Sequence, residues 1–250
     1  FDELQKTILS LKSSFGKNIA CNYPARYLFL KSQLSDLPIY NLQECENLKK
    51  FVDEFQKDKI SLVFTSEYIE SPSSAFGHIM LIFKDENESY NTADTIHFAA
   101  VTPEEGFLKY AYKGLSGEYN GYFAREPFFK KVYQYNTKEQ RYMHIYDLDY
   151  SHKEILYLIY HLYELRKAQF KYYFTNGNCA SYISDFLNVI EQNNNKTNPV
   201  YYMPIDTIKQ YQHTIVQKNK FIPLINKLSI LIDQMSDEER KIFFTIIETQ

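Results

Sequence analysis

The sequence predicts an α+β fold in a single domain covering residues 1–250. Three observations carry this. Helical periodicity is confined to the two ends, the middle holds short apolar runs separated by polar turns, and two capped helices follow directly. In order, residues 3–13 place Leu4, Ile8 and Leu11 at helical spacing, and Asn22-Tyr23-Pro24 breaks the chain. Residues 43–56 resume the period with Leu48, Phe51, Val52 and Phe55. The runs 60–66 and 77–84 read as buried strands, and 94–101 as a third after the polar turn Asp85 to Ser89. Residues 106–135 are rich in aromatics, with Gly114, Gly117 and Gly121 marking bends or close backbone approach. A further strand is expected over 141–148. Ser151 and Glu154 form a capping box before Ile155, Leu158, Ile159 and Leu162. Asn178 is a good N-cap for a helix through Cys179, Ile183, Phe186, Leu187 and Ile190. Gln192 to Asn198 is a polar connection. Two helical patterns close the chain: Leu224, Leu228, Leu231 and Ile232, then a Ser236/Glu239 box leading to Ile242 and Phe243.

Composition narrows the function classes. An apolar fraction of 44% and a charged fraction of 24% are those of a globular protein. No run reaches the roughly 18–20 apolar residues that cross a bilayer. A net charge of −3 offers no basic footprint for nucleic acid. The chain begins at Phe1 rather than Met, from which removal of an N-terminal signal peptide or anchor is expected. The 23 Tyr and 19 Phe serve as core residues or as an aromatic surface for lipid or peptide. Three cysteines cannot all pair with one another, and no C-x-x-C spacing suggests zinc. In an oxidising compartment Cys21 and Cys45 would pair and leave Cys179 free; in the cytosol all three would be reduced. Both readings stand at this level.

Cys179 is the candidate nucleophile. It shares a helix face with Ile183, Phe186, Leu187 and Ile190, which also suits a core cysteine. Its place in the first turn separates the two readings, because unpaired N–H groups and the helix dipole there favour thiolate and supply oxyanion donors. A thiol needs a base within hydrogen-bond reach. Of six histidines, His144, His152, His161 and His213 fall in ordinary helix or strand patterns. His78 follows the turn-rich Ser71-Pro72-Ser73-Ser74-Ala75-Phe76-Gly77 and opens a strand, where Gly77 permits close backbone approach. His97, on the next strand, is the candidate for fixing its tautomer. No G-x-S-x-G elbow, P-loop, dinucleotide fingerprint or H-E-x-x-H motif is present. Neither a cofactor nor a metal is expected; a zinc site of His78, His97 and Cys179 is the minor alternative.

The ordered set Cys21-Asn22-Tyr23-Pro24-Ala25-Arg26, Cys45, Ser66, Ser71 to His78, Gly114-Leu115-Ser116-Gly117 to Gly121, and Asn178-Cys179 resembles the periplasmic domain of the Lnb-type lipoprotein N-acyltransferases. The likeness runs from about residue 20 to about residue 190. It implies a circularly permuted papain-like (NlpC-like) core over 59–192, with a helical part at 1–58 before it and helices at 193–250 after it. It also implies Cys179 as nucleophile, His78 as base, His97 as third polar position, and a Cys21–Cys45 disulfide in the periplasm at the membrane surface. The implied reaction takes an acyl chain from a phospholipid, through a Cys thioester, to the N-terminal amine of a bacterial lipoprotein. The alternative is an NlpC-type cysteine peptidase or amidase acting on cell-wall peptides.

Overall fold

The computed structural model describes residues 2–55, 57–68, 76–103, 106–191 and 200–248. The Ser71–Ala75 approach and the 192–198 connection lie outside the described residues. Helices α1 (Asp2–Leu11), α2 (Gly16–Asn22), α3 (Pro24–Gln33) and α4 (Glu46–Glu54) precede strands β1 (Lys59–Thr65), β2 (His78–Lys84) and β3 (Asp94–Ala100). Then come α5 (Phe107–Ser116), β4 (Tyr119–Pro127), α6 (Phe128–Lys131), β5 (Met143–Leu148), α7 (His152–Leu165) and β6 (Phe170–Tyr172). The chain closes with α8 (Cys179–Glu191), α9 (Pro204–Gln210), β7 (Ile215–Phe221), α10 (Leu224–Gln234) and α11 (Asp237–Glu248). The α+β expectation holds: the seven strands form one antiparallel sheet in the order β6-β4-β3-β2-β1-β5-β7.

Strand β2 lies at the centre, and its apolar run is explained by burial on both faces. Alternation sorts the side chains. Ile79, Leu81 and Phe83 join Ile60, Leu62 and Ile96 against α7, α8 and α9, where they meet Ile155, Ile183, Phe186 and Ile208. Met80 and Ile82 point the other way, to Val63, Met143 and Ile145, and are covered by Phe128 and Tyr135. That second cover is a π-helical stretch, residues 132–138, running on from α6. Helix α7 is buried on two sides, since Tyr160 and Tyr163 turn from the sheet to a second core made by α1–α4. The capping box at its start forms as the sequence predicts. Cys21 and Cys45 are joined as a disulfide, linking α2 to the residue before α4.

The Gly- and aromatic-rich segment holds a helix and the longest strand rather than bends alone. Gly117, at φ +73°, ends α5, and a Cβ on Gly114 would lie 2.2 Å from the Phe174 ring, so the predicted close approach is real. Helices α10 and α11 form where expected, but α10 buries no residue and Leu224 is 66% exposed.

Candidate active site

Helix α8 begins at a densely tied corner. Asn178 Oδ1 accepts from the N–H groups of Ala180 at 3.0 Å and Ser181 at 3.2 Å, which caps the helix. Its Nδ2 donates to the carbonyls of Tyr202 at 2.8 Å, Thr175 at 3.2 Å and Phe174 at 3.3 Å. The whole amide is therefore used, and the first turn is fixed against the preceding loop. Cys179 is only 3% exposed. Burial pushes its thiol up to about 11, against the backbone N–H groups of Ile79, Ala180 and Cys179 itself and the charge of Arg141, all of which favour thiolate. The donors are present, but desolvation of the charged form outweighs them.

His78 opens β2 opposite Thr65. Gly77 before it adopts φ +91°, and a Cβ there would lie 2.7 Å from the Thr65 carbonyl oxygen, so only glycine fits this approach. The His78 ring lies 5.7 Å from Tyr135 and 6.5 Å from His97, centroid to centroid. Burial, then the charges of His97, Lys131 and Arg141, holds it well below the usual histidine range, and it is neutral at pH 7. Its Nε2 is buried with no partner among the described residues.

His97 is held down to about 4 by burial and by Lys131, opposed by Glu126. The Lys131 ammonium, itself paired with Glu126 at 2.8 Å, donates to His97 Nε2 at 3.3 Å. An ammonium has no acceptor, so His97 carries its proton on Nδ1, which is buried with no partner among the described residues.

The predicted residues are therefore brought to one end of the sheet but not into one hydrogen-bonded chain. No hydrogen bond joins Cys179 Sγ to His78, or His78 to His97, among the described residues. The reason is strand alternation: Ile79 meets the sulfur, while its neighbour His78 packs with Tyr135 on the other face of β2. Each group has its own cavity. The thiol cavity, about 290 Å³, is walled by Phe76, Gly77, Tyr172, Phe174, Tyr202 and Met203, among others. The imidazole cavity, about 240 Å³, includes Tyr68, Phe98 and Tyr135, and Tyr172 and Phe174 line both. Among the described residues no group of His, Cys, Asp or Glu could hold a metal ion, so His78, His97 and Cys179 are not gathered as ligands.

Sequence reasoning missed Arg141, Glu139, Lys131, Glu126 and Tyr135. Arg141 heads the fully buried side chains, yet charged residues beside turns read as solvated. His161 lies on Phe186, with ring centroids 5.5 Å apart, and His213 pairs with Glu191 at 3.0 Å, as structural residues do.

Residues 47–214 match the sequence profile of the Lnb N-terminal periplasmic domain. The match starts beyond Cys45, so the disulfide stands outside it, and it reaches past α9, further than the motif likeness ran. No curated protein matches the chain. In structure it is similar to a crystallised type VI secretion system effector, TseH, at a TM-score of 0.42 and 11% identity, over 68% of this chain and 96% of that one. No described helix is long and apolar enough to cross a membrane.

Proposed function

The chain belongs to the Lnb N-terminal periplasmic domain family, and on that premise we propose that it is a cysteine-dependent acyltransferase with a permuted papain-like core, residues 1–250 forming one catalytic domain. The observation that carries the reading is Cys179: a buried thiol at a helix start, where neighbouring backbone N–H groups favour its thiolate, in a cavity walled by aromatic side chains. An apolar wall suits an acyl chain better than a polar peptide.

In this reading the Cys179 sulfur attacks the ester carbonyl of a phospholipid as its proton passes to His78. The N–H donors at the first turn of α8 stabilise the oxyanion. Collapse breaks the ester C–O bond, His78 returns the proton to the departing alcohol, and the acyl chain remains as a thioester. The N-terminal amine of a lipoprotein then attacks the thioester, giving an amide and restoring the thiol. Because the resting pair is thiol and neutral imidazole, the proton moves during attack rather than before it. The sulfur and the imidazole line adjoining cavities that share Tyr172 and Phe174, and the proton crosses there. His97 contributes through its Nδ1–H, on the strand beside His78, which has no partner among the described residues. Segment 106–135 helps keep water from the thioester, and the domain works in the periplasm at a membrane surface.

Intact-mass measurement after incubation with phospholipid vesicles tests this. An adduct of acyl mass on Cys179 is expected, with transfer to a lipoprotein N-terminus on its addition. Cys179→Ala abolishes both, and His78→Ala slows acylation about 10²–10⁴-fold. Absence of any adduct, with cleavage of cell-wall peptides by the same thiol, overturns the acyl reading in favour of an NlpC-type peptidase or amidase.

A further inference from the structure

We propose that Arg141 is a positioning residue that supplies the Cys179 thiol with a fixed counter-charge, which stabilises the negative charge that develops on the sulfur as its proton leaves. The proposal rests on Cys179 being the nucleophile. Its argument starts from where the guanidinium lies.

Arg141 comes just before β5 and is 2% exposed. A buried guanidinium is strongly unfavourable unless its donors are satisfied. Here Nε donates to the Ser66 carbonyl at 2.6 Å, one terminal nitrogen to the Thr65 carbonyl at 3.4 Å, and the other to Glu139 at 2.8 Å. The guanidinium carbon also lies 4.9 Å from the centre of the Tyr135 ring, a cation–π distance. It is thus held on four sides.

That position is one carbonyl away from the thiol cavity. The Thr65 oxygen that Arg141 binds is the one against which Gly77 packs, where a Cβ would come within 2.7 Å. Gly77 in turn lines the cavity holding Cys179. Tyr135, on which the guanidinium lies, is the ring that packs on His78. Arg141 therefore touches one support of each group: the Thr65 carbonyl behind Gly77 and the Tyr135 ring on His78. Its charge acts on both in the useful sense, favouring the thiolate of Cys179 and disfavouring protonation of His78.

Among the described residues no other group at the corner takes this role. Tyr135 and Tyr172 are kept neutral, pushed above their ordinary range first by burial. Lys131 is committed to Glu126 and His97. Glu139 pairs with Arg141 at 2.8 Å and partly neutralises it. Because a guanidinium does not titrate in the working range, its charge persists while the proton leaves the sulfur for His78 and returns.

The pH dependence of Cys179 alkylation by iodoacetamide tests this on the full chain with its disulfide intact, where Cys179 is the free thiol. Arg141→Met is expected to slow alkylation at a fixed pH near 9 about tenfold, a shift of the profile by one unit toward alkali. Glu139→Gln leaves the guanidinium in place and moves the profile the opposite way, with alkylation about threefold faster. Arg141→Lys keeps the charge and restores most of the wild-type profile. An unmoved profile in folded Arg141→Met, or shifts of the same sign in the Arg141→Met and Glu139→Gln variants, overturns the proposal. Should Arg141→Met fail to fold, Glu139→Gln decides alone, and an unchanged profile there is fatal. The readout needs no lipid, so a failed acyl-adduct experiment beside opposed alkylation shifts rejects the acyltransferase reading and leaves the counter-charge standing.

Discussion

Helices α8 and α10 carry similar amphipathic patterns, yet they end in opposite situations. Helix α8 puts Cys179, Ala180, Ile183, Phe186 and Leu187 under cover of the sheet. Helix α10 repeats leucine and isoleucine at the same helical spacing, but Leu224, Ile225 and Leu231 are 66%, 54% and 55% exposed. The difference lies outside the helices. Helix α8 faces the central strands and is pinned at its start by Asn178, whereas α10 follows an edge strand and has no side-chain cap. A 3.6-residue apolar stripe specifies a helix and a side to bury; what covers that side is a property of the rest of the chain.

The contrast is most directly broken by large-to-small substitution. Phe186→Ala on α8 is expected to destabilise the protein by about 3–5 kcal/mol in denaturant unfolding, since its ring is 1% exposed and packs on Phe123 and His161. Acid acts more broadly on the sheet side. His78, His97 and His161 are all held below the usual histidine value, first by burial, the latter two to about 4. With folded values below unfolded ones, the unfolded chain binds more protons between pH 6.5 and 4. Stability is therefore full above pH 6.5 and falls through that window. We expect a loss of about 2 kcal/mol or more by pH 4.5, and a shallower decline in His97→Asn. The smallest effect belongs to α10: Leu231→Ala should change stability by no more than about 0.5 kcal/mol. A loss as large as that of Phe186→Ala would mean that α10 is covered in solution, and the contrast would collapse.

Legibility in the sequence followed the same division. Helices α7 and α8 were readable because cap and period agree at Ser151/Glu154 and at Asn178. Strands β1 and β2 were readable because burial on both faces makes them continuously apolar. Helix α5 and strand β4 were not. Gly114 and Gly121 look like breakers until Phe174 and Phe98, distant in sequence, occupy the space where their Cβ atoms would lie. Strand β7 has hardly any apolar pattern, because an edge strand is held by backbone pairing to β5 and carries Lys218 and Lys220.

In the site, Cys179, Asn178 and the Gly77-His78 pair stood out because each combines a reactive or polar residue with a structural break. Arg141 and Lys131 did not, since a buried charge is recognisable only from partners such as Ser66, Thr65, Glu126 and His97. The sequence placed His78 at the start of a strand, but not on the far face of β2 from Ile79. Face assignment depends on register, and one residue inverts it.

The Cys21–Cys45 bridge bears on how the chain matures. A newly made chain with three thiols can close three different single disulfides, and two of them consume Cys179. Only the bridge between α2 and the start of α4 leaves the sulfur of α8 available. Burial of Cys179 in the core, with its thiol pushed up to about 11, leaves it a poor partner for thiol–disulfide exchange once the sheet has formed. Packing of the helix–sheet core thus guards against mispairing: when the sheet assembles before the helical cap oxidises, the order of events selects the correct bridge. The desolvation that keeps the resting thiol protonated then also keeps it reduced in an oxidising compartment.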